Sequence, residues 1–128
     1  MKIAASTNNG GMDDTVTEMF GRTGSFTIVE VNGNETGSVE VLQHMGARGG
    51  GAGIMAAQTL ADKDVDILLT GRVGPNAMEA LSSSKIKIYQ ASGMKVEEAV
   101  NKFLQNGLQE IKNAQGRGRG MGRGRGGF

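Results

Sequence analysis

The sequence predicts a three-layer α/β domain built on a mixed sheet, with helices on both faces. Three observations carry that expectation. The second half of the chain alternates strand-like and helix-period segments, as crossovers between parallel strands require. In the first half, Asn32-Gly33 separates two runs of β-formers and signals a hairpin. Ile67-Leu68-Leu69 shows no polar alternation, as expected of a strand covered on both faces.

Taken in order, Lys2 to Ser6 reads as a first, largely buried strand, ended by the turn-rich Thr7-Asn8-Asn9-Gly10-Gly11. Within the following loop, Asp13 to Phe20 is expected to form a short helical turn capped by an Asp and closing on Gly21. Phe26 to Val31 and Ser38 to Leu42 supply strands two and three, antiparallel to each other. From Gln43 the pattern dissolves into His44-Met45-Gly46-Ala47-Arg48 and the glycines Gly49, Gly50 and Gly51. It then becomes helical through Ile54, Ala57 and Ala61, which is a glycine-rich crossover entering a first long helix. Strand four runs to Leu69. A second helix is expected from about Pro75 to Ser82 with Ala77, Met78 and Leu81 facing inward. Ile86 to Tyr89 is strand five. The third helix is the clearest, because Val96, Ala99, Val100, Phe103 and Leu104 share one stripe while Glu97 and Glu98 suit its positive N-terminus. Gly107 is expected to interrupt it, with Leu108 and Ile111 packing beyond.

At 128 residues the chain suits one domain and a tail, the domain spanning residues 1–112 and the tail 113–128. From Gly116 onward the Gly-Arg repeats offer too little apolar surface to fold alone and read as disordered. The formal net charge is +1, and setting aside the four arginines Arg117, Arg119, Arg123 and Arg125 leaves −3 before Gln115. A fold built to hold nucleic acid is therefore not expected, and such binding would fall to the tail. Cysteine is absent, which excludes disulfides and thiolate metal sites. Lys2 to Ser6 runs directly into polar residues, and no apolar stretch approaches the roughly 20 residues of a membrane span, so a cytoplasmic location is expected.

The segment with most chemical content is Thr70-Gly71-Arg72-Val73-Gly74-Pro75-Asn76-Ala77. It reads as a strand-to-helix turn in which Gly71 and Gly74 supply backbone conformations closed to other residues. Pro75 suits the first helical position, and the amides of Asn76 and Ala77 then remain free to point outward. Such a turn seats anions, because unpaired N–H groups and the helix dipole both favour negative charge. The same spacing also fits a tight turn without a ligand.

Met19-Phe20-Gly21-Arg22, the glycine-rich entry Gly50-Gly51-Ala52-Gly53, the block Thr70 to Ala77, and Val96-Glu97-Glu98-Ala99 follow one another in the order found in a known family. Over about residues 1 to 112 the chain resembles the dinitrogenase iron-molybdenum cofactor biosynthesis family, which includes cofactor carriers and small stand-alone archaeal and bacterial proteins. The resemblance implies a ribonuclease H-like motif with strand order 3-2-1-4-5. It also implies a crevice where the ends of strands one and four and the glycine-rich helix entry converge. It further implies an anionic ligand, the iron-molybdenum cofactor or another iron-sulfur cluster, held by Met19, Arg22, His44, Gly50, Gly51, Gly71, Arg72, Gly74 and Asn76. Family members often place His before the Phe-Gly of the first motif, whereas this chain has Met19. His44, the only histidine, is then the metal-ligand candidate. One imidazole suffices only for a cluster that brings its own sulfides. Arg22 and Arg72 are the candidate counter-charges.

Enzymatic readings find less support. Two-metal nuclease chemistry needs several converging carboxylates, and the first strand carries none, so Asp13 and Asp14 read as caps. The lone His has no identifiable nucleophile partner. The expectation is a non-enzymatic binding or carrier protein for a metal-sulfur cofactor or precursor, meeting a cofactor-synthesis or acceptor protein. The alternative is an interaction module whose Gly/Arg tail binds RNA, weakly and in a salt-sensitive way, or an acidic protein. No membrane partner is expected.

Overall fold

The computed structural model of the chain describes residues 1–43 and 52–112. They form a five-stranded sheet in the order β3-β2-β1-β4-β5. The elements are β1 (Lys2–Thr7), a 3-10 turn (Phe20–Arg22), β2 (Ser25–Asn32), β3 (Glu35–Gln43), α1 (Ala52–Asp62), β4 (Ile67–Thr70), α2 (Pro75–Ser83), β5 (Lys87–Gln90) and α3 (Val96–Leu104). β1 is antiparallel to β2 and parallel to β4, β4 is parallel to β5, and β3 closes the antiparallel side. The expected mixed sheet and its order are therefore observed.

Alternation along the strands makes two cores, one on each face. Ala4, Phe26, Ile28, Leu68 and Ile88 point to one face, where Ala56, Ala57 and Leu60 of α1 and Ala77 and Leu81 of α2 cover them. Ile3, Ala5, Val29, Val31, Ile67 and Leu69 point to the other, under Val96, Ala99 and Val100 of α3. The two faces explain the unbroken apolar run at β4, since every one of its residues is buried. The edge strand β3 is exposed almost throughout.

Three local readings change. The hairpin is closed by Asn32 opposite Glu35, so Gly33 and Asn34 are its central residues. Only Gly33 of this pair has positive φ, at 64°, which fits a turn with glycine in the first central position. The stretch Asp13–Phe20 does not form the expected helical turn. Its backbone is drawn instead into isolated bridges to Lys95 and Arg72, and helical geometry begins only at Phe20. Finally, α3 stops at Leu104, and Asn106 at φ 60°, not Gly107, takes the left-handed position after it. Ile111 then packs as expected, its N–H donating to the Ile88 carbonyl at 2.7 Å. Among the described residues no helix is long and apolar enough to cross a membrane.

Candidate functional site

Residues 12–22 run as a strap across the ends of β1 and β4. Two side chains anchor it, one in each core: Val16 beneath α3 and Phe20 beneath α1 and α2, the latter with its ring centroid 5.4 Å from that of Phe26. Main-chain bonds tie it down. Thr17 N–H donates to the Ser6 carbonyl at 2.8 Å, Val16 N–H to Met94 at 2.8 Å, and Gly93 N–H to Val16 at 2.9 Å. At the far end Arg72 N–H donates to Glu18 and Phe20 N–H to Arg72 at 3.0 Å, so Met19 and Arg72 face each other as parallel neighbours.

Close packing of small residues then brings three motifs together. A side chain on Gly71 would lie 2.8 Å from the carbonyl carbon and Cα of Glu18 and closer still to its oxygen, so the strap can approach β4 only over a glycine. Gly21 leaves just enough room for the main chain of Gly53 in the first turn of α1, where an added Cβ would sit 3.4 Å from the Gly53 nitrogen. Gly53 in turn faces Ala77 in the first turn of α2, where a Cβ would meet the alanine methyl at 2.9 Å. The two helix starts are thereby packed against each other. Neither Gly71 nor Gly74 has the glycine-only backbone expected of it; Gly71 is needed for the close approach alone, while Gly74 has φ −73° and nothing within 4 Å of an added side chain. What glycine contributes there is the absence of a capping group, not an unusual backbone.

Three places at this edge of the sheet could offer main-chain N–H groups to an anion, and the structure treats them differently. Asn8, Asn9 and Gly10 direct their N–H groups at one oxygen of Asp14, at 2.9, 2.7 and 2.8 Å, while Thr15 N–H takes the other at 2.8 Å. That concavity is filled by the chain's own carboxylate. Slight burial raises the Asp14 pKa, but the bonds from Gly10, Thr15, Asn9 and Asn8 outweigh it and hold the group below its ordinary value. At α3, Val96 N–H donates to the Asp14 carbonyl at 2.9 Å and Glu97 N–H to Met12 at 3.0 Å, so the strap caps that helix. At α2 the first residue is Pro75, the cap position is Gly74, and no side chain bonds to the amides that follow. Of these three, the α2 start is the open one, and it is the one packed against α1.

At this end of the sheet lies a set of hydroxyls that the sequence reading missed. Ser6 and Thr70, on neighbouring parallel strands, are fully buried and share a hydrogen bond of 2.7 Å. On the other side of β1, Thr7 bonds Ser25 at 2.7 Å and Thr27 at 3.1 Å, and Thr23 donates to the Thr7 carbonyl. Every buried polar residue among those described is a Ser or Thr of this group. The available signal was the placement of Ser6, Thr7 and Thr70 at the C-terminal ends of otherwise apolar strands.

The expected site residues divide accordingly. Met19, Gly71, Arg72, Gly74 and Asn76 come together around the α2 start, with Arg72 and Asn76 exposed and Met19 44% exposed. Arg22 closes the 3-10 turn on the same side. His44, Gly50 and Gly51 lie outside the described residues. Among the described residues no three of His, Asp and Glu gather as a metal site. The one ion pair among them joins Lys63 to Glu40, leaving the Arg72 guanidinium without a carboxylate there. A shallow cavity of about 310 Å³, lined by Met78, Ile86, Ile88 and Ile111, sits toward the other end of β5 and takes in none of the motif residues.

Comparison with known proteins bears on these motifs. The family model described as dinitrogenase iron-molybdenum cofactor matches residues 1–106. An uncharacterized protein of Methanocaldococcus jannaschii is 28% identical over 114 residues, covering 88% of this chain and 92% of that protein. Among solved structures, the apo form of the orange protein from Desulfovibrio gigas is similar at 34% identity and a TM-score of 0.80, covering 88% of this chain and 94% of that one. A NifB-like protein from Thermotoga is similar at 30% identity and a TM-score of 0.79, covering 91% and 98%. A dinitrogenase-like protein of Methanocaldococcus jannaschii, at 23% identity, a TM-score of 0.71 and coverage of 88% and 96%, shows the fold alone.

Proposed function

This chain belongs to the dinitrogenase iron-molybdenum cofactor family, and from that premise we propose that it is a non-enzymatic binding or carrier protein for an anionic metal-sulfur cofactor. The observation that carries the reading is the paired start of α1 and α2, joined through Gly53 and Ala77 and free of a side-chain cap at Gly74. Two helix dipoles there favour negative charge, and the Asn76 and Ala77 amides supply donors. Arg72 is fixed by strap bonds on both sides of its peptide and adds a cation beside them, with Arg22 on the adjoining turn. His44, between β3 and α1 in the sequence, is the proposed ligand to a metal of the cluster, and Met19 borders the α2 start through its pairing with Arg72. The iron-molybdenum cofactor and simpler iron-sulfur clusters both fit this chemistry of sulfide-rich anions. The protein acts in the cytoplasm in this reading, passing its ligand between a synthesising and an accepting protein.

A second reading rests on the four arginines of the tail, which attract RNA or an acidic protein while the domain serves as an anchor. One experiment separates the two. The protein is incubated anaerobically with isolated iron-molybdenum cofactor or with a simple iron-sulfur cluster, and co-eluting metal is counted after gel filtration. Stoichiometric metal that survives deletion of Gly116 to Phe128 and falls with His44→Ala supports the carrier. No retained metal in any form overturns it and favours the tail-driven reading.

A further inference from the structure

The chain contains three Asn-Gly pairs, Asn9-Gly10, Asn32-Gly33 and Asn106-Gly107. In such a pair the glycine nitrogen can attack the asparagine side-chain carbonyl carbon, because no side chain on the glycine obstructs it. The new N–C bond forms as the C–N bond to the side-chain amide breaks, the amide leaves as ammonia, and a cyclic imide results. Water then opens the imide to aspartate or its isomer, so the net change is amide plus water to carboxylate plus ammonium. The attacking nitrogen must be free to turn toward the side chain.

The fold ties down two of the three nitrogens. Gly10 N–H donates to the Asp14 carboxylate at 2.8 Å, and Gly10 is pressed against the Val41 side chain. Gly107 N–H donates to the Lys102 carbonyl at 2.7 Å, with the same oxygen 3.2 Å from where a Cβ would stand. Gly33 is different. Among the described residues its N–H has no hydrogen-bond partner, nothing lies within 4 Å of an added Cβ, and Asn32 is exposed. The hairpin tip is also weakly held. A register shift between Val29 and Val31 separates it from the rest of the ladder, leaving only the Val31–Thr36 and Asn32–Glu35 pairs beyond the irregularity.

We propose that Asn32 is a site of spontaneous deamidation in the folded protein, whereas Asn9 and Asn106 are protected by the bonds their following glycines make. The product places a new carboxylate at the tip of β2 and β3, at the opposite end of β1 from the strap.

The test is peptide mapping by mass spectrometry after ageing the full chain at mildly alkaline pH, with a parallel sample unfolded in urea. In urea the three sites convert at similar rates, since each is an Asn-Gly pair. In the folded protein Asn32 converts at least about tenfold faster than Asn9, the factor set by one hydrogen bond to a carboxylate. The variant Asp14→Ala frees the Gly10 nitrogen and raises conversion at Asn9 while leaving that at Asn32 unchanged. Equal rates at the three sites in the folded chain, or faster conversion at Asn9 or Asn106 than at Asn32, overturn the assignment.

Discussion

Gly71→Ala probes the step on which the site depends, the close approach of the strap to β4. The added methyl would meet three main-chain atoms of Glu18, two of them at 2.8 Å, and main chain cannot rotate aside as a flexible side chain would. The strap must therefore lift. Overpacking of this kind costs about 1–3 kcal/mol. Lifting also lengthens the bonds from Arg72 N–H to Glu18 and from Phe20 N–H to Arg72, each worth about 1 kcal/mol. The sum is a loss of about 3–5 kcal/mol. In urea denaturation a small domain loses about 2 kcal/mol of stability per molar, so the midpoint drops by roughly 1.5–2.5 M. Gly74→Ala is the matched comparison, since its methyl enters open space at an ordinary φ of −73° and moves stability by less than about 1 kcal/mol. A Gly71→Ala midpoint equal to that of Gly74→Ala would show that the strap does not sit on β4 as described.

Other substitutions test the neighbouring parts. Asp14→Ala strips the partner from three loop amides and is expected to lower stability by about 1–3 kcal/mol in the same assay. Because the Asp14 pKa is lowered in the folded chain, its contribution is present above the unfolded value near 3.8 and is lost as pH falls through the folded value. The acid limb of a stability-against-pH profile is accordingly flatter for Asp14→Asn, and an unchanged limb would refute the argument. Phe20→Ala removes the strap's anchor in the α1 and α2 core and is expected to lose about 3–5 kcal/mol by thermal or urea unfolding. Asp64→Gly relieves a non-glycine residue at φ 62° after α1 and is expected to gain about 0.5–1 kcal/mol, read as a higher melting temperature.

Much of the fold could be read from the sequence because its signals are local. The apolar run at β4, the stripe on α3 and the presence of a hairpin at Asn32-Gly33 each follow from spacing within a few residues, although the turn itself is centred one residue later. The strap could not be read this way. Asp13 to Phe20 carries the caps and apolar spacing of a helical turn, yet its partners are Ser6, Arg72, Met94 and Lys95, all distant in sequence. The same limit applied to the glycines. Gly71 and Gly74 look alike in the motif, but one is required by Glu18 packed against it and the other by nothing within 4 Å. The buried hydroxyls escaped notice because Ser6 and Thr70 become a pair only when β1 and β4 are placed side by side.

Gly74→Asp confronts the proposed seat most directly. The position has the extended geometry of a helix cap and open space for a side chain, so an aspartate can accept the free amides of α2, as Asp14 accepts those of the loop. The fold is expected to hold and to gain a few tenths of a kcal/mol, monitored by its melting curve. Metal retained from isolated iron-molybdenum cofactor on anaerobic gel filtration is expected to fall to about a tenth or less of that held by the unaltered chain, since both a donor pair and a favourable charge are lost. Full metal retention by a well-folded Gly74→Asp protein would contradict the account.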